Sequence, residues 1–78
     1  MKVFEKEMIQ NFDIVINYYK NIDSKKANTY ANFKKEYFEN VKAFEILPKQ
    51  EQERIKNLEG LIISEMEYIE EVENNDKQ

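Results

Sequence analysis

Apolar side chains recur three or four positions apart in three stretches of this chain, and the intervals between the stretches are short. In the first, Phe4, Met8, Phe12, Val15, Tyr19 and Ile22 mark one face of a helix, widened by Ile9 and Ile16. In the second, Ala27, Tyr30, Phe33, Tyr37, Val41 and Phe44 keep the same spacing, with Phe38 on the flank. In the third, Ile55, Leu58, Ile62, Met66, Ile69 and Val72 do so again. No stretch alternates with period two for long, so strands are not expected.

Boundaries follow from local chemistry. Asn21-Ile22-Asp23-Ser24 supplies turn formers and an N-cap. Leu47-Pro48 ends the second stretch, because a residue before proline is pushed out of helical conformation. Pro48 suits the first turn of the next helix, where its missing N–H costs nothing, and Glu51 and Glu53 sit near that positive end. The pattern predicts helices over about 3–22, 24–46 and 49–73, with residues 74–78 frayed. Short connections make neighbouring helices antiparallel. The expected fold is therefore an all-α, up-down-up three-helix bundle in one domain spanning 1–78. Gly60, in the third stretch on its polar side, either kinks or breaks that helix, marks a spot where a partner backbone comes close, or has no effect.

Composition narrows the function. The chain has 78 residues with no His, Cys or Trp, one Gly and one Pro. There is no Gly-rich phosphate loop, no Glu-x-x-His pair for a di-metal helical site, and no base to activate Ser24 or Ser64. Glu67, Glu70 and Glu71 lack the loop of oxygen ligands that a Ca²⁺ site needs. The expectation is a protein that is not an enzyme and takes no cofactor or metal. Without Cys there is no disulfide framework. The N-terminal residues carry charges and no signal-like run, and no stretch approaches the roughly 18 apolar residues of a membrane span. A cytoplasmic protein is the default.

Charge is unevenly placed. Residues 1–56 carry eleven basic and nine acidic side chains, a net of +2, whereas residues 57–78 carry one basic and seven acidic, a net of −6. Placed on a helix, Glu59, Glu67, Glu70 and Glu71 spread over the outward side. One reading is a nucleic-acid mimic that occupies the basic groove of a host enzyme, as an accessory protein of a phage or mobile element would. The other is an ordinary solvated face. An acidic C-terminal turn opposes the helix dipole, which favours pairing with Lys25, Lys26, Lys35 or Lys42. Those lysines and Lys34, near Tyr30 and Tyr37, carry an alternative: a nucleic-acid-binding regulator. Interleaved acids and the overall net charge of −4 weigh against direct nucleic-acid binding.

Two charges fall inside apolar arcs, Lys34 on the second helix and Glu65 on the third. Either they meet across the bundle and fix its register, or both reach to its edge. Most aromatics lie on inward stripes and belong to the core. Ile14 and Tyr18 lie well round from Phe12, Val3 and Ile63 point away from their stripes, and Leu61 and Tyr68 form a second flank on the third helix. Apolar groups exposed in several places point to a partner surface. The candidate partner-binding residues are thus Ile14, Tyr18, Leu61, Glu67, Tyr68, Glu70 and Glu71. The expected function is a protein-binding inhibitor or adaptor. A homodimer that buries the apolar flanks, or a structural subunit of a helical homo-oligomer, remains the third class.

Overall fold

In the computed structural model, which describes residues 3–76 and the side-chain surroundings of 6–75, three helices pack around one apolar cluster. They are α1 (Val3–Lys20), α2 (Ser24–Val41) and α3 (Lys49–Asp76), with a short 3-10 turn at Phe44–Ile46. No strand occurs among the described residues. The expectations for the side chains of Val3 and Phe4, and for residues 77 and 78, lie outside the described ones.

The direction of each helix is read from its cross-contacts. Phe12 meets Tyr37, with ring centroids 5.6 Å apart, and Tyr19 stacks on Tyr30 at 6.1 Å. Later residues of α1 therefore meet earlier residues of α2, and the two run antiparallel. Tyr37 in turn reaches Glu59, while Tyr19 reaches Glu65. Hence α3 runs parallel to α1, and the bundle is up-down-up.

The core takes the inward stripes as spaced: Met8, Phe12, Val15 and Tyr19 from α1, Ala27, Tyr30 and Tyr37 from α2, and Ile55, Leu58, Ile62 and Ile69 from α3. Each large apolar side chain buried this way contributes about 1.5–3 kcal/mol. Phe33, Val41, Phe44 and Met66 pack half-buried around that centre.

Helix ends depart from the expected boundaries in three places. First, α1 stops at Lys20 because Asp23 claims the connection as an N-cap. Its carboxylate accepts the Lys26 N–H at 3.1 Å, and the Ile22 and Asp23 N–H groups both donate to the Tyr19 carbonyl. Ile22, placed by spacing on the α1 stripe, is instead 65% exposed in that turn. Capping outweighs one apolar position.

Second, α2 ends at Val41, short of the expected 46. The backbone tightens there: the Ala43 N–H donates to Asn40 O, and Ile46 to Ala43 O, each three residues back. Leu47 is extended before Pro48, as expected. Pro48 itself lies one residue ahead of α3, its carbonyl accepting the Gln52 N–H at 3.0 Å. Gln52 secures the join by donating its side-chain amide to Phe44 O at 2.9 Å.

Third, α3 runs on to Asp76, so residues 74–76 are helical and not frayed. Gly60 leaves it unbroken, with no positive φ and nothing within 4 Å of where a Cβ would stand.

These ends leave the helices unequal. At 1.5 Å per residue, the 28 residues of α3 extend about 42 Å, against about 27 Å for the 18 of α1 or α2. At its start α3 is tied to the end of α2 through Gln52–Phe44 and Arg54–Glu36. The excess therefore lies at the other end, past the α1–α2 turn: α3 is packed through Ile69, and its last turns beyond it form a projecting arm. The longest dimension of the molecule is 47 Å.

Candidate functional site

Inter-helix ion pairs define which flank of each helix faces which neighbour. Lys34 Nζ lies 2.6 Å from Asp13 Oδ1, closing the α1–α2 seam. Arg54 grips Glu36 with two hydrogen bonds, at 2.7 and 3.2 Å, and lies over the Phe33 ring, closing the α2–α3 seam. The Arg54 guanidinium holds the Glu36 carboxyl below its usual range, and Glu36 raises Arg54 in return. Both pairs are substantially exposed, so each contributes at most about 1 kcal/mol.

Lys34 and Glu65 do not meet. Lys34 reaches the rim of its seam, whereas Glu65 stays inside with its side chain 13% exposed. Glu65 is held by α1 and α2 together. Tyr19 O–H donates to its Oε1 at 3.2 Å, Lys26 Nζ donates to the Tyr19 oxygen at 3.2 Å, and Lys26 Nζ lies 3.3 Å from Glu65 Oε2. That last contact is an ion pair without hydrogen-bond alignment, since Oε2 is buried and accepts no hydrogen bond. Burial raises the Tyr30 phenol well above its ordinary value, and the facing Glu65 adds to the effect. Of the lysines expected to meet the acidic stretch of α3, Lys26 is the one that does so through Glu65. Spacing alone misassigned the partner because a face on one helix does not reveal which neighbour covers it.

The seven candidate partner-binding residues fall on three separate surfaces. Ile14 and Tyr18, four apart, share the flank of α1 that turns away from the α2 seam. Ile14 is 45% exposed, but Tyr18 is half-buried and sets its ring edge-on against Tyr19 at 4.9 Å. Leu61 (39% exposed) and Tyr68 (50%) share the flank of α3 that carries Arg54 and Glu65, all at spacings of three, four or seven. That flank borders α2, so these residues form no single patch with Ile14 and Tyr18. Glu67, Glu70 and Glu71 are exposed on the last turns of α3, with Glu73 beyond them. Glu59 departs from the outward placement expected for it: it is half-buried and accepts the Tyr37 O–H at 2.8 Å.

Sequence reasoning missed one feature, a shallow groove of about 360 Å³ along the outer α1–α2 seam. Ile9, Ala31 and Phe38 floor it, and Lys34 and Lys35 edge it. Phe38 is 43% exposed, and Lys42 Nζ lies 5.1 Å from its ring. The signal was present as Ala31, Lys35, Phe38 and Lys42 at steps of four, three and four, a second stripe beside the core stripe of α2.

Among the described residues no group of three or more acidic side chains is placed to hold a metal ion, and no helix is long and apolar enough to cross a membrane. Compared with known proteins, the chain matches no family model, no curated protein and no solved structure.

Proposed function

We propose that this is a non-enzymatic, cytoplasmic protein-binding module, an inhibitor or adaptor, that engages a basic partner through the projecting end of α3. One observation carries the reading: α3 stays packed through buried Ile69 and then runs past the bundle, and Glu67, Glu70, Glu71 and Glu73 along these turns are exposed, as is Tyr68. Over Glu67–Glu73, about 9 Å of helix at 1.5 Å per residue, the four carboxylates fall about one per 2–3 Å. Duplex DNA carries a charge per about 1.7 Å of axis, and one strand a charge per about 3.4 Å. The arm thus approaches the linear charge density of a nucleic acid, which supports a partner whose basic groove is built for one. A phage or mobile-element protein that blocks a host nucleic-acid enzyme is the setting this reading fits. Charge complementarity of this kind speeds encounter and selects the partner.

The alternative of a nucleic-acid-binding regulator has less support, because Lys26 and Lys34 are already engaged by Glu65 and Asp13. The test compares wild-type protein with the Glu67→Gln/Glu70→Gln/Glu71→Gln variant as baits in the native host's extract, across a salt series. Basic proteins retained by the wild type and lost by the variant are the expected result. An identical retained set for both baits would refute the acidic-arm reading.

A further inference from the structure

The α1–α2 groove and the α3 arm are complementary, yet they cannot meet within one chain. The flank of α2 that carries Ala31, Lys35 and Phe38 lies beside α1, whereas α3 packs on the flank that carries Lys26, Phe33 and Glu36. The arm belongs to an unbroken helix that is packed through Ile69 and leads away from the bundle after it. The flank of the arm that continues from Arg54 and Glu65 offers exposed Tyr68 and half-buried Val72, four apart, with Glu71 beside them and Glu67 and Glu70 farther round the helix. Against it stands an apolar floor centred on Phe38 with Lys35 and Lys42 at its edge.

We propose that each arm docks in the α1–α2 groove of a second copy, giving a reciprocal antiparallel homodimer. A two-fold axis across the long direction of the bundle turns the arm end of one copy toward the body of the other, so two arms and two grooves are satisfied at once. Such an isologous contact closes, unlike a one-way head-to-tail contact, which propagates. The charges agree, with a net of +2 over residues 1–56 and −6 over residues 57–78. The dimer rests on the groove and the arm, not on the partner reading, and it would compete with a basic partner for the same arm.

The experiment is sedimentation equilibrium on the full chain over a range of concentration and salt, with circular dichroism to verify that each variant is folded. Wild type is expected to reach the two-chain mass and to weaken as salt rises. Lys35→Glu/Lys42→Glu and Glu67→Lys/Glu70→Lys/Glu71→Lys are each expected to raise the dissociation constant by about tenfold or more. Mixing these two variants should restore a dimer, because each arm then meets a groove of opposite charge. A wild type that stays monomeric, a dimer indifferent to both reversals, or a mixture that fails to pair would overturn the proposal. Sedimentation reads pairing with a second copy and the extract experiment reads capture of other, basic proteins, so the two readings fail separately.

Discussion

Removing Lys26 should cost stability that the second removal of Glu65 largely returns. Lys26→Met leaves the Glu65 carboxylate enclosed by Tyr19 and Tyr30 without its cation. Stripping one partner from a fully buried pair costs about 3–5 kcal/mol. Lys26 is 41% exposed, so water can approach, and the expected loss shrinks to about 1–2 kcal/mol. Glu65→Leu alone leaves the Tyr19 O–H and the Lys26 ammonium without their acceptor, offset by a better-matched apolar surface, for a loss of about 1 kcal/mol. In Lys26→Met/Glu65→Leu no charge is stranded, and stability should return to within about 1 kcal/mol of wild type. The cycle then shows a coupling of about 1–3 kcal/mol. At this chain length Lys26→Met should lower Tm by roughly 5–15 °C. Urea unfolding followed by circular dichroism measures each corner. Additive losses, with coupling below about 0.3 kcal/mol, would refute the claim that the two side chains form one interior unit.

Two further outcomes follow from the same geometry. Gly60→Ala adds a methyl group into open space on a continuous helix, so it should stabilise by about 0.5–1 kcal/mol, read as a higher Tm. Stability should also fall at alkaline pH. Burial lifts Tyr30 and Tyr19 above their ordinary values, and the hydrogen bond to Tyr19 lifts Lys26. The folded state therefore holds these protons after the unfolded chain has released them. Their stabilisation is complete below about pH 10 and drains away as pH rises through the folded values. Phenolate absorbance should rise together with the loss of helix, and Tyr30→Phe should make the decline shallower. An unfolding midpoint constant across the tyrosine range would contradict this.

Much of the fold was legible along the chain because one-dimensional spacing determines the inward face of a helix, and Asp23 and Leu47-Pro48 act on their immediate neighbours. The early end of α2 was not legible, since Val41 and Phe44 keep the apolar spacing through a backbone that has already tightened at Asn40. Nor were the partners of Lys34 and Glu65. Spacing places a side chain on its own helix, but which neighbour covers it depends on how three helices are arranged. The acidic arm was legible as charge. Its projection became visible only with the true lengths of α1 and α2. The groove at Phe38 was missed because its stripe is short and interrupted by lysines.

The last turns of α3 have one more consequence, for amide exchange. They carry acidic side chains where a helix presents its negative end, with no basic residue in the final turn. Exposed glutamates over the projecting turns give the backbone little cover, so these amides should exchange with solvent faster than those near Ile62. A cationic surface laid against the arm, from either source, would oppose that end charge and slow the exchange. The protection of a few backbone amides would then report occupancy without any label on the partner.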